Sequence, residues 1–298
     1  MLVALILTFS LFTQRFLTLV TLRTIANQLP EIVIAAVGLT FVLLIAGIDL
    51  SVGSVLALSS AVLGVSMLRM DLGLPLAAAL ALGAGLACGA ANGLLSVGFG
   101  LPSFIVTLGT LEMARGATYL LTRSQTQYVG PGVEVVTRAE LLGLQAPFFG
   151  AMAMVGLGQV ALSRTVFGRY AAAIGTNEEA VRLSGVDPRP VKVAVFMLSG
   201  LCAGLAGIVH TARLASSDPN AAVGFELQAI AAVVVGGTSL MGGRGSVVGS
   251  LLGALIIAVL GAGLAQAGAQ EPTKRLVTGA VIVAAVVADH FRRRGEPA

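Results

Sequence analysis

The chain has 298 residues, of which 56% are hydrophobic and only 11% charged, and its formal net charge is +4. Soluble domains carry about 25% charged residues, so a chain this apolar cannot cover itself with a solvated surface and its solvent must be lipid. A secreted disulfide scaffold, a disordered tail and a nucleic-acid binder are thereby excluded.

A membrane helix needs roughly 20 mostly apolar residues. By that measure the sequence predicts about ten spans, at 1–20, 31–48, 52–70, 75–98, 102–121, 146–163, 191–212, 226–241, 246–265 and 273–289. The fold class expected is an all-α polytopic membrane protein forming one transmembrane domain over residues 1–298. Met1 opens directly in the apolar stretch of the first span, which Thr13, Gln14 and Arg15 interrupt. With no basic leader segment and no small-residue cleavage site, a signal peptide is not expected. A start upstream of Met1, with the first span truncated, is.

Between the second and third spans, Ala46-Gly47-Ile48-Asp49-Leu50-Ser51-Val52-Gly53-Ser54 breaks the apolar run with one carboxylate and two hydroxyls. A charge at the bilayer centre costs about 2.5–3.5 kcal/mol on insertion scales. Asp49 is therefore expected to reach the interface or to cap the next helix, with Ser51 as a second cap. The functional alternative puts this break on a permeation path, where irregular backbone is tolerated.

The fourth span carries Gly83, Gly85, Gly89 and Gly93 at helical spacing, and Gly200, Gly204 and Gly207 repeat the pattern later. Gly249 and Gly253, continued by Gly261, form a third stripe. In lipid such stripes let helix backbones approach closely. Asn92, Ser103, Thr107, Thr110, Glu226 and Gln228 are scattered polar residues within spans. Glu112 and Arg115, three apart on one span, are expected to neutralise each other. Cys88 and Cys202 lie inside apolar runs without metal-ligand spacing and read as small packing residues. The two histidines, His210 and His290, fall at span ends, and no catalytic set emerges.

Two long interruptions occupy residues 122–145 and 164–190. In the second, Thr176-Asn177-Glu178-Glu179 has the capping-box arrangement, with Thr176 as the cap and Glu179 three residues on. Ala180, Val181 and Leu183 follow, and Gly185 with Pro188 supplies a stop. A helix of about two turns is predicted, exposing Val181 and Leu183. It reads equally as a helix lying on headgroups or as one inserted into a groove of a soluble partner. Orientation follows Lys and Arg: Arg164, Arg169, Arg182, Arg189 and Lys192 share a side with Arg292, Arg293 and Arg294, expected to be cytoplasmic. Lys274 and Arg275 run against that bias. The segment Gly236 to Ser246 lacks a Gly-Lys-Ser/Thr ending, so it is no phosphate loop and reads as a tight, re-entrant connection.

From about Phe16 to the C-terminal tail the chain resembles the membrane-spanning subunit of bacterial sugar ABC importers, in the ribose-type permease family. The likeness rests on Gly47-Ile48-Asp49-Leu50-Ser51-Val52-Gly53-Ser54, Gly168-Arg169-Tyr170, Asn177-Glu178-Glu179-Ala180 with Arg182-Leu183-Ser184-Gly185, and Ala229 through Leu240. The family's N-terminal cytoplasmic extension has no counterpart here. The resemblance implies that Thr176, Asn177, Glu178, Glu179, Ala180, Arg182, Leu183 and Gly185 form a cytoplasmic coupling helix seated in a cleft of a separate ATPase subunit. It implies pairing with a second permease chain, identical or paralogous, delivery of a monosaccharide by a periplasmic binding protein, and residence in the bacterial inner membrane. No cofactor belongs to this chain; ATP and magnesium reside on the ATPase. Asp49, Ser51, Asn92, Thr238 and Ser239 are the expected sugar path. The rival readings are an ion-coupled secondary carrier and an ABC permease for branched-chain amino acids.

Overall fold

The computed structural model describes residues 1–13 and 16–294. Gln14 and Arg15, which interrupt the first predicted span, therefore lie outside the described residues. The chain is helical almost throughout: α1 (Leu2–Phe12), α2 (Leu19–Leu44), α3 (Val52–Arg69), α4 (Leu74–Gly98), α5 (Ser103–Thr122), α6 (Pro131–Arg138), α7 (Ala146–Arg164), α8 (Val166–Leu183), α9 (Arg189–Leu214), α10 (Phe225–Val235), α11 (Val247–Gln266) and α12 (Glu271–Arg294). Four two-residue strands, β1 (Gln127–Tyr128), β2 (Glu140–Leu141), β3 (Leu144–Gln145) and β4 (Ser216–Ser217), form two small antiparallel pairs, β1 with β4 and β2 with β3.

Among the described residues, six helices, α2, α3, α4, α7, α9 and α11, are long and apolar enough to cross a membrane. This is the pattern of a multi-pass membrane protein, although six is fewer than the ten spans predicted. The expected span at 1–20 is instead the 11-residue α1, and α2 begins at Leu19, well before residue 31. The expected span at 226–241 is the 11-residue α10, about 16 Å long at 1.5 Å per residue. α5 and α12 have the length but carry charges within it.

α9 is the axis of the bundle, with α2, α3 and α4 all packed on it. α2 runs antiparallel to it, so that Glu31 meets His210 and Arg213, while Gly38 backs on Ser199 and Cys202 and Gly47 on Phe196. α4 is also antiparallel, and here the glycine stripes meet as expected. A methyl group added at Gly85 would run into the carbonyl oxygen of Gly200, and one at Gly89 into that of Phe196. With no side chain between them the two backbones gain dispersion contacts that lipid cannot match. Gly83 and Gly261 take no part; each faces open space.

α3 runs parallel to α9, with Leu56 against Gly207 and Ser60 hydrogen-bonded to Thr211 at 2.7 Å. Its first turn thus starts well inside the bundle, beside Ser199, and the chain between Leu44 and Val52 turns back inward as irregular backbone. α10 starts at the same depth, where Gly53 backs on Ala222 and Glu226, and runs to the end of the bundle where α2 finishes. That end carries Arg164, Arg182, Arg189 and Lys192. Lys274 lies at the other end, in a cleft shared with Val20, Thr21 and Gln266.

A buried polar break and an exposed helical elbow

The break between α2 and α3 needs partners for its backbone, because unpaired peptide groups at membrane depth are costly. α5 supplies them. Ser103 Oγ accepts the N–H of Ile48 at 2.9 Å, and Thr107 Oγ1 accepts the N–H of Leu50 at 3.1 Å while donating to the Ile48 carbonyl at 3.2 Å. Asp49 then closes a network. Its Oδ1 accepts from the Ser51 N–H at 3.0 Å and the Ser51 hydroxyl at 2.6 Å, and its Oδ2 accepts from the Ser199 hydroxyl of α9 at 2.7 Å. Asn92 Nδ2 of α4 donates to Ser51 Oγ at 3.0 Å, and Thr110 Oγ1 of α5 donates to Asn92 Oδ1 at 2.6 Å.

Three of the five expected path residues, Asp49, Ser51 and Asn92, are therefore brought together, and each is 1% exposed. The carboxylate neither reaches the interface nor caps α3 by a side-chain bond; it is held inside by hydroxyl donors. Thr238 and Ser239 do not join them. They lie in the glycine loop after α10, where the Ser239 N–H donates to the Arg244 carbonyl at 2.9 Å and Ser239 Oγ accepts the Met241 N–H at 3.1 Å. Sequence reasoning noted Ser103, Thr107 and Thr110 without assigning them, and missed Ser199. Hydroxyls on apolar helices were their only signal.

The second feature is an elbow formed by α8 and the start of α9. α8 consists of two helical segments that meet at a kink at Asn177 (φ −160°, ψ 96°). The short helix expected after this point is present, but with a different cap: Asn177 Oδ1 accepts the Ala180 N–H at 2.9 Å, whereas Thr176 Oγ1 donates back to the Ala172 carbonyl at 2.9 Å. An extended Asn177 presents its side chain to the new helix start, while Thr176 remains in the preceding turn. The helix stops in a Schellman motif. Gly185, at φ +85°, donates to the Arg182 carbonyl at 3.0 Å, and Val186 donates to the Val181 carbonyl at 3.3 Å. Val181 is buried rather than exposed and shares the apolar core with Val186; Leu183 is 80% exposed, as expected. Glu178 joins the elbow to α9 through Lys192 Nζ at 2.9 Å, and Arg182 lies 3.7 Å from both Glu178 and Glu179.

The elbow and the break meet at a junction of three backbones. The Gly243 N–H donates to the Leu44 carbonyl at 2.8 Å. A methyl group at Gly175 would overlap that same carbonyl, one at Gly242 would crowd Ala46, and one at Gly243 would crowd Thr176. Gly242 and Gly243 also have φ of +85° and +75°, the left-handed region glycine favours.

Two further polar groups depart from expectation. Arg115 does not pair with Glu112; its Nη1 donates to the carbonyls of Pro219 and Ala221 at 2.9 and 2.8 Å. Glu31, unremarked in sequence, is 8% exposed and binds His210 Nδ1 at 2.9 Å and Arg213 Nε at 2.6 Å. Placing residue 31 at the start of a span concealed it, since α2 begins twelve residues earlier.

A bundle of apolar helices with an inward-folded polar break and an exposed elbow at its basic end has the pattern of a multi-pass membrane protein. Residues 21–286 match the family described as "Branched-chain amino acid transport system / permease component". The chain is 40% identical over 302 residues to the ribose import permease protein RbsC of Escherichia coli (strain K12), covering 98% of this chain and 92% of that one. It is 40% identical over 291 residues to the ribose import permease protein RbsC of Bacillus subtilis (strain 168), covering 96% and 89%. To the fructose import permease protein FrcC of Rhizobium meliloti it is 35% identical over 289 residues, covering 94% and 80%. No solved structure matches. The chain belongs to the ribose-type permeases of sugar ABC importers, within that wider family.

Proposed function

We propose that this chain is the permease subunit of an ATP-driven importer that carries a monosaccharide, a ribose-like pentose or a related sugar, across the bacterial inner membrane into the cytoplasm. The near-full-length identity to ribose import permeases carries this reading. Residues 1–298 act as one transmembrane unit beside a second permease chain, and a periplasmic binding protein delivers the sugar. The chain holds no cofactor of its own; ATP and magnesium belong to the separate ATPase.

Residues 176–185 are the coupling helix. Leu183 offers an exposed apolar side chain beside the exposed carboxylate of Glu179, the pairing a docking helix needs to enter a cleft. Closure of the ATPase dimer binds one arrangement of this elbow better than the other, and that differential affinity drives the change of access. Asp49, Ser51 and Asn92 hold the α2–α3 break beside the path, and Thr238 and Ser239 shape the loop at its basic end. The family description supports a second reading, a branched-chain amino-acid permease, but the names of the most similar relatives favour a sugar.

The test is reconstitution with a candidate ATPase and binding protein in liposomes. ATP-dependent uptake of labelled ribose or a related monosaccharide is expected. Uptake that follows an ion gradient without ATP would replace this reading with a secondary carrier, and uptake of leucine instead of sugar would select the second reading.

A further inference from the structure

α4 and α9 touch along much of their shared length and then part. Gly85, Gly89 and Gly93 of α4 press on the α9 backbone, and a methyl group at Gly93 would meet Val193 Cα. Leu94 and Val97 follow with branched side chains, and Gly98 has no atom near enough to touch an added methyl group. The gap that opens is a groove of about 460 Å³, walled by Leu94, Val97 and Gly98 on one side and by Val193, Ala194 and Met197 on the other. Arg189, the first residue of α9, stands at its mouth and is the one charged residue that lines it among the described residues. Asp187 Oδ1 accepts the backbone N–H of Arg189 at 3.0 Å, and the guanidinium makes no ion pair or hydrogen bond among the described residues.

α9 has 26 residues, about 39 Å at 1.5 Å per residue, against a hydrocarbon core of about 30 Å. Its first turn therefore reaches headgroup level, while Met197, about 12 Å further in, lies at the depth of acyl chains. The groove runs inward from the interface, apolar along its walls and cationic at its rim. Left empty, it would forfeit dispersion contacts on both sides, and a soluble partner cannot follow it to that depth. A guanidinium offers paired N–H donors that match phosphate, and basic pockets between membrane helices on the cytoplasmic side hold anionic headgroups. We propose that this groove binds an anionic phospholipid of the leaflet at the basic end. One acyl chain lies between α4 and α9, and the headgroup phosphate accepts hydrogen bonds from the Arg189 guanidinium. The bound lipid braces the first turn of α9, four residues after the Gly185 stop of the elbow. Naming that leaflet cytoplasmic rests on the importer reading above; the binding does not.

Native mass spectrometry of the full chain in detergent tests it, with phosphatidylglycerol and phosphatidylcholine of identical acyl chains as the probes. Phosphatidylglycerol is expected to bind roughly fivefold more tightly, the worth of one cation beside anionic lipid. Glycerol 3-phosphate, which lacks the chains, should not displace it. Arg189→Gln should remove the preference and leave phosphatidylcholine binding unchanged. Ala194→Phe, which puts a ring into the groove, should lower retention of both lipids. Arg164→Gln, at the same end but outside the groove, should alter neither. Equal binding of the two lipids by the unmodified chain, or a preference kept by Arg189→Gln, would overturn the proposal. So would an equal loss of preference in Arg164→Gln, which marks diffuse surface charge, or displacement by glycerol 3-phosphate, which marks a site for soluble phosphate. Dissociation of a second copy or of the ATPase by Ala194→Phe with lipid binding intact would likewise overturn it, because the groove would then belong to a protein partner. Failure of the assembled importer to take up any monosaccharide would count against the importer reading and leave these binding ratios standing.

Discussion

The backbone N–H of Gly243 donates to the carbonyl of Leu44 at 2.8 Å, tying the loop after α10 to the last turn of α2. Gly175 of α8 lies against the same carbonyl, so at this point the elbow, the end of α2 and the glycine loop meet backbone to backbone. A contact made of backbone has no rotamers in which to absorb a displacement.

Gly175→Ala therefore wedges the junction open. Uptake should fall by tenfold or more, about 1.4 kcal/mol in transition-state terms, while the ATPase still co-purifies and hydrolyses ATP. Measuring hydrolysis and sugar uptake on the same proteoliposomes checks this; unchanged uptake would show that the close approach is not used.

Glu179→Arg and Gly185→Leu act on the elbow itself. The first reverses a charge on the exposed face proposed to dock. The second forces a branched side chain into a left-handed conformation, at about 1–2 kcal/mol. Both variants should insert in the membrane yet lose transport and retention of the ATPase. Normal uptake by either would remove residues 176–185 from the coupling role.

The Asp49 network predicts a stability pattern. Asp49→Ala strands the Ser51 and Ser199 hydroxyl donors in a buried site, at about 1–3 kcal/mol for each unsatisfied donor. Ser199→Ala removes one donor and leaves the carboxylate bonded to Ser51, so it should cost less. Thermal unfolding in detergent should rank wild type above Ser199→Ala and that above Asp49→Ala. A reversed order would mean the carboxylate is a burden rather than a clasp.

Glu31 makes a similar prediction half-way along α2. Glu31→Gln leaves Arg213 and His210 without their counter-charge in a part-buried site. The midpoint of thermal unfolding should drop, and the double change Glu31→Gln/Arg213→Met should recover part of the loss, because truncating one partner of a buried pair is worse than replacing both.

The small-residue faces of α4 and α9 were legible in sequence because their spacing alone dictates which helix faces can meet. Asp49, Ser51 and Asn92 were marked as polar intruders, and their convergence came from α9 and α5, whose hydroxyls say nothing of direction in a linear text. The elbow was located correctly but its cap was assigned to Thr176, since spacing cannot reveal that Asn177 is the residue whose backbone becomes extended. The half-length of α10 was hidden by an apolar run that continues to Val235 and then into glycines. Glu112 was read against Arg115 because a helical wheel ignores competing acceptors, and the loop carbonyls of Pro219 and Ala221 took the arginine instead.

The Schellman turn at Gly185 has a mechanical consequence. Val181 is set in the core, Val186 packs against it, and Glu178 is clasped to Lys192, so the elbow is tied to the first turn of α9. On the proposed coupling role, a torque delivered at Leu183 would be handed to α9, on which α2, α3 and α4 are all packed. If residues 176–185 couple to an ATPase as proposed, each stroke at the basic end would reach four helices at once rather than a single gate.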